Sequence, residues 1–132
     1  MNLGLLVLWR VLAIFPASAE EPWTLRTGPE SVESVPLDPV QMVSAWRGLY
    51  SDGTDRIWVY VTRSPFFFLP SLADARAVSG TPWSVVAFFP SSWKVPLRTG
   101  WLDRWVADFR SLASFRSPGW PIVLPAVLSK GP

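Results

Sequence analysis

Nine tryptophans in a chain of 132 residues, with no cysteine and no histidine, are the feature that most restricts how this protein can fold. Without cysteine, neither disulfides nor thiolate zinc sites can hold the chain together, so its stability must come from a hydrophobic core. The hydrophobic content of 49% is sufficient for such a core, and the length predicts a single domain. The missing imidazole and thiol also exclude the commonest general bases and nucleophiles of enzymes.

Residues 1–19 have the pattern of a secretory signal. The apolar run LGLLVLWRVLAIF occupies residues 3–15, and Ala17-Ser18-Ala19 then forms an A-x-A processing site. The run is too short to cross about 30 Å of hydrocarbon as a helix. Arg10 inside the run, with no basic residue before it, opposes this interpretation. We expect a secreted or periplasmic protein from which residues 1–19 are removed. An uncleaved membrane anchor through residues 3–15 and an ordinary N-terminal helix are the alternatives.

Residues 20–36 are predicted to form a flexible linker, and residues 37–132 a single small folded domain. The linker segment contains all the glutamates of the chain and is interrupted by Pro22, Gly28, Pro29 and Pro36. Polar sequence of this kind, without periodicity, buries too little apolar surface to order a chain.

Within the domain, hydrophobic periodicity predicts alternating helices and strands. Trp46 and Tyr50 recur at helical spacing after the cap residue Asp38, and Trp101, Trp105 and Phe109 form a second such stripe. Helices are expected over residues 39–50, 72–78 and 99–116, and strands, rich in β-branched and aromatic residues, over residues 57–62, 83–89 and 120–128. This order predicts an α/β domain with a small three-stranded sheet flanked by helices.

Residues 122–131, IVLPAVLSKG, resemble the segment that carries the cis-proline of thioredoxin-like proteins. In that family an apolar run leads into a proline, a small residue, an apolar strand and a Lys-Gly turn. The resemblance implies a thioredoxin-like fold over residues 56–131 with Pro125 as the cis-proline, as in cysteine-less periplasmic relatives from secretion or conjugation machinery. The chain departs from the family because its loop at residues 63–70 has no cysteine, and because it ends at Pro132, before a further strand and helix. No thiol chemistry can therefore be transferred.

Acidic residues are the remaining candidates for catalysis or metal binding, and their spacing supports neither. Asp52 and Asp55 flank a Gly-Thr pair, which is typical of a surface turn and lacks the further carboxylates of a calcium loop. Asp103 and Asp108 lie five residues apart on the third predicted helix and point in different directions. Arg104 is spaced to pair with Asp108. We expect no catalytic residue, no metal site and no cofactor.

Aromatic residues in predicted loops are the candidates for an interaction site. Pro65 and Pro70 enclose three consecutive phenylalanines, so neither a long helix nor a central strand can contain all three. The predicted exposed patch, which would dock a protein partner, consists of Phe66, Phe67, Phe68 and Trp93. The net charge of +2, with singly spread basic residues, argues against a nucleic-acid partner.

Three functions are compatible with the sequence. The one we expect is a non-enzymatic exported interaction domain or assembly subunit, for example of a bacterial envelope, secretion or conjugation apparatus. An alternative is a weakly selected open reading frame without a settled function, because nucleotide bias alone can produce much Trp, Pro and Arg and little Asn and Gln. A second alternative is a small hydrolase that combines Asp52 and Asp55 with a third oxygen ligand.

Overall fold

Among the residues that the structure describes, the fold is one antiparallel sheet that curls as a half-barrel around one helix. The computed structural model describes residues 22–37, 40–63, 74–79, 82–112 and 119–125. Within them the strands are β1 (Trp23–Val32), β2 (Ala45–Ser51), β3 (Arg56–Thr62), β4 (Ala75–Val78), β5 (Ser84–Phe88) and β6 (Val123–Leu124), and the helix is α1 (Val95–Leu112). The order across the sheet is β4-β5-β3-β2-β1-β6, and each neighbouring pair is antiparallel.

The predicted α/β domain with three strands flanked by helices is therefore wrong. The structure forms β2 where residues 39–50 were expected to be helical, and β4 in place of the helix predicted over residues 72–78. Trp46 and Tyr50 are four residues apart, and this spacing places two side chains on one face of a helix and equally on one face of a strand. In the structure they lie opposite Val61 and Ile57 of β3.

The prediction of a flexible linker over residues 20–36 is also wrong, because β1 occupies most of this segment. Trp23 is fully buried at the start of the strand, whereas the residues from Arg26 to Ser31 are exposed. Gly28 has a φ of +89°, and the register with β2 shifts between Thr27 and Glu30. A Cβ at Gly28 would lie 2.5 Å from the carbonyl oxygen of Arg47. The glycine therefore permits a bulge in a polar strand.

Two predicted strands and one predicted helix are confirmed. β3 and β5 lie within the predicted strands to within one residue, and α1 contains the expected apolar stripe. α1 begins at Val95, four residues before the predicted start. Pro96 lies in its first turn, where a proline is tolerated because a backbone N–H there would have no partner within the helix. The Lys94 carbonyl accepts hydrogen bonds from the amides of Leu97 and Arg98 at 3.1 and 3.2 Å.

Six tryptophans are buried in the core between α1 and the inner face of the sheet, namely Trp23, Trp83, Trp93, Trp101, Trp105 and Trp120. Tyr50 lies at the centre, with its ring centroid 5.7 Å from that of Trp101 and 6.2 Å from that of Trp105. Its hydroxyl donates a hydrogen bond to the Pro121 carbonyl at 2.6 Å, and burial raises the pKa of this phenol. A Cβ at Gly48 would lie 2.8 Å from a ring carbon of Trp120, so only glycine leaves room for that indole.

Several core indoles have no conventional hydrogen-bond acceptor among the described residues. They are the N–H groups of Trp23, Trp101, Trp105 and Trp120. Their rings meet in T-shaped contacts, such as Trp23 with Trp101 at 5.7 Å and Trp105 with Trp120 at 5.2 Å. The edge of one ring faces the π face of the next in such contacts, which is the arrangement that N–H···π interactions use.

The outer face of the sheet is partly covered by the segment between β1 and β2. Val35 and Leu37 are buried there in a second apolar cluster with Tyr60 and Val86. An antiparallel bridge between Val35 and Gln41 closes the segment on itself. The central part of the sheet therefore has apolar residues on both faces, which explains why β3 and β5 have almost continuous apolar sequences.

Candidate interaction surface

Trp93 does not belong to an exposed patch. It is only 4% exposed, and its ring stacks on Phe89 and meets Trp23 edge-on, both with centroids 5.7 Å apart. Its indole N–H donates a hydrogen bond to Asp55 Oδ2 at 3.3 Å. The predicted exposure of Trp93 is therefore wrong. The other three members of that patch, Phe66, Phe67 and Phe68, lie outside the described residues.

Pro125 loses the role that the thioredoxin-like resemblance gave it. That resemblance is contradicted by the fold, because the described residues form an antiparallel half-barrel with one helix and not a thioredoxin-like sheet flanked by helices. Pro125 directly follows the two-residue strand β6. Within the described residues, the cis peptide bond precedes Pro29.

The acidic residues considered for catalysis take part in local structure. Asp52 Oδ1 accepts hydrogen bonds from the amides of Thr54 and Asp55 at 2.9 and 2.8 Å, which forms the β2–β3 turn. The predicted pairing of Arg104 with Asp108 is confirmed at 3.3 Å. In the part of the chain that the structure describes, no three acidic side chains are close enough together to hold a metal ion.

A groove opens between the edge strand β4 and α1. Its volume is about 250 Å³, and its apolar lining residues include Val78 and Leu102. Arg76 on the strand and Asp103 on the helix supply opposite charges, and both side chains are exposed. The guanidinium of Arg76 donates a hydrogen bond to Thr99 Oγ1 at 3.2 Å across the groove. The groove therefore has a mixed lining of apolar and polar side chains and carries two opposite charges.

The backbone of β4 alternates between its neighbour β5 and the edge of the sheet, where no other described strand pairs with it. The Asp74 carbonyl accepts a hydrogen bond from the Phe89 amide at 2.7 Å, so the same alternation directs Arg76 and Val78 toward β5. The N–H and C=O groups of Ala75 and Ala77 then point away from β5. Because Ala75 is 4% exposed and Ala77 is half-buried, the accessible part of this edge is at Ala77.

The charges at the groove have no ionic partner among the described residues. The ion pairs among the described residues involve other side chains, for example Arg98 with Asp74 and Arg104 with Asp108. Arg76 has its hydroxyl partner Thr99, which leaves most of the guanidinium donors available. An incoming carboxylate could therefore bind Arg76 without displacing an existing ion pair.

A second half-exposed surface lies on the outer face, where Leu49, Trp58 and Phe88 are directly opposite one another on three strands. The Arg47 guanidinium lies 5.0 Å from the Trp58 ring and forms an ion pair with Glu30 at 2.6 Å. The hydrogen bond to Glu30 is the main cause that raises the pKa of Arg47. These contacts lie within the sheet itself, so this surface offers less unpaired polar chemistry than the groove.

Comparison with known proteins assigns no family to this geometry. No family model matches the sequence, and neither curated proteins nor solved structures give a significant match. The function must therefore be inferred from the described residues themselves.

Membrane contact was expected only through residues 3–15, which lie outside the described residues. Among the residues that are described, no helix combines the length and the apolar character needed to cross a bilayer.

Proposed function

We propose that this chain is a non-enzymatic interaction domain that binds an extended segment of another protein as an added strand at β4. The observation that carries this proposal is the outward-facing backbone of Ala77 beside the groove. In strand addition, main-chain hydrogen bonds contribute affinity, and pockets that receive alternate side chains contribute specificity. The β4 edge offers both kinds of contact.

The size of the groove favours a polypeptide over a small-molecule ligand. Sites for drug-sized molecules typically have about 300–1,000 Å³, and they bury most of the ligand surface. The groove beside β4 has a volume of about 250 Å³ and opens along a strand. It therefore fits one side chain of an extended segment whose other residues continue along the edge.

The chemistry of the described residues supports binding in preference to catalysis. The chain has no histidine or cysteine. Asp52 accepts hydrogen bonds within its own turn, and Asp55 accepts one from the Trp93 indole. A hydrolase would need such carboxylates to converge on a substrate. Asp103, the acidic residue of the groove, lies beside a cation, a hydroxyl and apolar residues.

The experiment compares binding of a displayed library of random twelve-residue peptides to the protein and to three variants. Ala77→Pro removes the outward N–H while leaving the bonds to β5, since edge strands tolerate proline at such positions. Thr99→Phe fills the groove from the helix without changing β4. Met42→Ser is the control, because Met42 is 75% exposed and does not line the groove.

We expect peptides that bind the parent and Met42→Ser and that lose binding to both Ala77→Pro and Thr99→Phe. Thermal melting of each variant shows whether the fold is retained. If Ala77→Pro does not fold, Thr99→Phe alone decides the result. Failure to enrich any peptide, or equal binding to the parent and to the groove variants, would overturn the proposed function.

Export is a separate proposal and rests on the signal-like pattern of residues 1–19. The mass of the protein recovered from its native host tests it. Export with cleavage predicts Glu20 as the first residue, and a full-length protein in the cytosol would contradict it.

A further inference from the structure

We infer that the segment added at β4 carries an acidic side chain at the position opposite Arg76. This inference rests on the proposed function and specifies the chemistry of the partner. It follows from the place of Arg76 in the strand ladder, from the groove into which its side chain extends, and from the absence of a carboxylate partner among the described residues.

The strand ladder fixes which residue of an added strand approaches Arg76 most closely. Because Arg76 directs its backbone groups toward Ala87 of β5, it does not exchange hydrogen bonds across the open edge. In antiparallel addition it forms a non-hydrogen-bonded pair, in which the Cα atoms are only about 4.5 Å apart. Side chains in such pairs interact strongly, and opposite charges are favoured.

The orientation of Arg76 places this pair in the groove. Its guanidinium bonds to Thr99 of α1, so the side chain lies on the inner face of the sheet. The residue opposite it in an added strand has its side chain on the same face, next to Thr99 and Leu102. A carboxylate there meets the free donors of the guanidinium, which binds carboxylates with two parallel hydrogen bonds.

Asp103 strengthens the preference of a partner carboxylate for the position next to Arg76. It lies on the helix wall of the same groove, where it repels a carboxylate that approaches the helix. An acidic side chain of the partner is therefore held close to the strand, where Arg76 is. Neutralising Asp103 removes the repulsion, so it is expected to strengthen binding of an acidic segment.

A second copy of this chain does not supply the required partner. If Ala77 pairs with Ala77 of the second copy in antiparallel register, Arg76 faces a valine. If the two-fold axis passes through residue 76 instead, two arginines are directly opposite each other, which is unfavourable. These two registers leave Arg76 without an anion. A two-fold axis at residue 75 would place Asp74 of the second copy opposite Arg76, but this register pairs the strands through Ala75, which is only 4% exposed, and Asp74 already forms an ion pair with Arg98. A different polypeptide is therefore favoured.

The test uses the library peptide whose binding depends most on Ala77, resynthesised with Glu, Gln or Lys at each position in turn. These peptides are measured against the parent, Arg76→Glu, Asp103→Asn and the control Lys94→Glu. Lys94 is exposed and does not line the groove, so Lys94→Glu reproduces the charge change of Arg76→Glu at a distant site. Isothermal titration gives the affinities at low and high salt.

At one peptide position we expect Glu to bind the parent about fivefold more tightly than Gln, as an exposed charge pair allows. With Arg76→Glu, the Lys peptide should bind more tightly than the Glu peptide. Asp103→Asn should bind the Glu peptide more tightly than the parent does. Lys94→Glu should bind the Glu, Gln and Lys peptides in the same order of affinity as the parent.

If Ala77→Pro abolishes binding but no peptide position prefers Glu, the inference is wrong while the proposed function stands. Concentration-dependent dimerisation that Ala77→Pro abolishes would identify a second copy as the occupant and would also overturn the inference.

Discussion

Replacing Trp105 with alanine should lower the free energy of unfolding by about 3–5 kcal/mol, the range for truncating a buried aromatic side chain. Trp105 has no exposed surface, stacks on Phe109 at 4.9 Å and meets Trp120 at 5.2 Å. The variant leaves a cavity between α1 and the sheet that these rigid rings cannot fill. A loss of this size is a large fraction of the stability of a small domain, so urea denaturation should show a variant that is largely unfolded or close to it.

Arg104→Ala is the matched control for this prediction. It changes the neighbouring residue of the same helix but removes only an exposed pair with Asp108. Such pairs contribute about 0.2–1 kcal/mol. If Trp105→Ala were no more destabilised than Arg104→Ala, the tryptophan cluster would not be the core of the fold.

Replacing Arg98 with methionine should destabilise the fold by about 3 kcal/mol, because a buried cation that satisfies several carbonyls is lost. Arg98 is 4% exposed, and its guanidinium donates to the carbonyls of Trp93 at 2.9 Å and Ser91 at 3.2 Å. A further bond of 3.4 Å reaches the Pro90 carbonyl. The apolar replacement fills most of the space but leaves these acceptors without donors.

Two further variants separate the carbonyl bonds of Arg98 from its charge. Arg98→Lys keeps the charge, but an ammonium cannot reproduce the planar arrangement of guanidinium donors, so much of the loss should persist. Asp74→Asn removes only the 3.5 Å contact with a half-exposed carboxylate and should change stability by less than about 1 kcal/mol. If Asp74→Asn were as destabilised as Arg98→Met in thermal melting, the ion pair rather than the bonds to the carbonyls would stabilise the loop between β5 and α1.

Local sequence patterns correctly predicted the elements whose apolar residues follow a single clear pattern. β3 and β5 are rich in valine and aromatic residues, and the α1 stripe repeats over several turns. β2 was missed because the spacing of Trp46 and Tyr50 fits a helix and a strand equally well. β1 was missed because most of its side chains are exposed, so a strand paired on both edges has the composition of a linker.

The candidate surface could not be predicted from local patterns, because it depends on topology. β5 pairs with β3 on one side and with β4 on the other, which leaves β4 at the edge of the described sheet. The β3–β5 pairing joins residues that are far apart in the sequence. Trp93 was predicted to be exposed because it lies in a predicted loop, where apolar residues are hard to bury. Its burial depends on ring contacts with Phe89 and with the distant Trp23, which the loop sequence does not show.

The most direct test of an open edge at β4 is amide hydrogen exchange, followed residue by residue by NMR. In the free protein, the amides of Arg76 and Val78 should be protected by their bonds to β5, and the amide of Ala77 should exchange fast. Addition of a peptide that depends on Ala77 should slow exchange at Ala77. If Ala77 is as protected as Arg76 in the free protein, the edge is already occupied, and the account of β4 as a binding site is wrong.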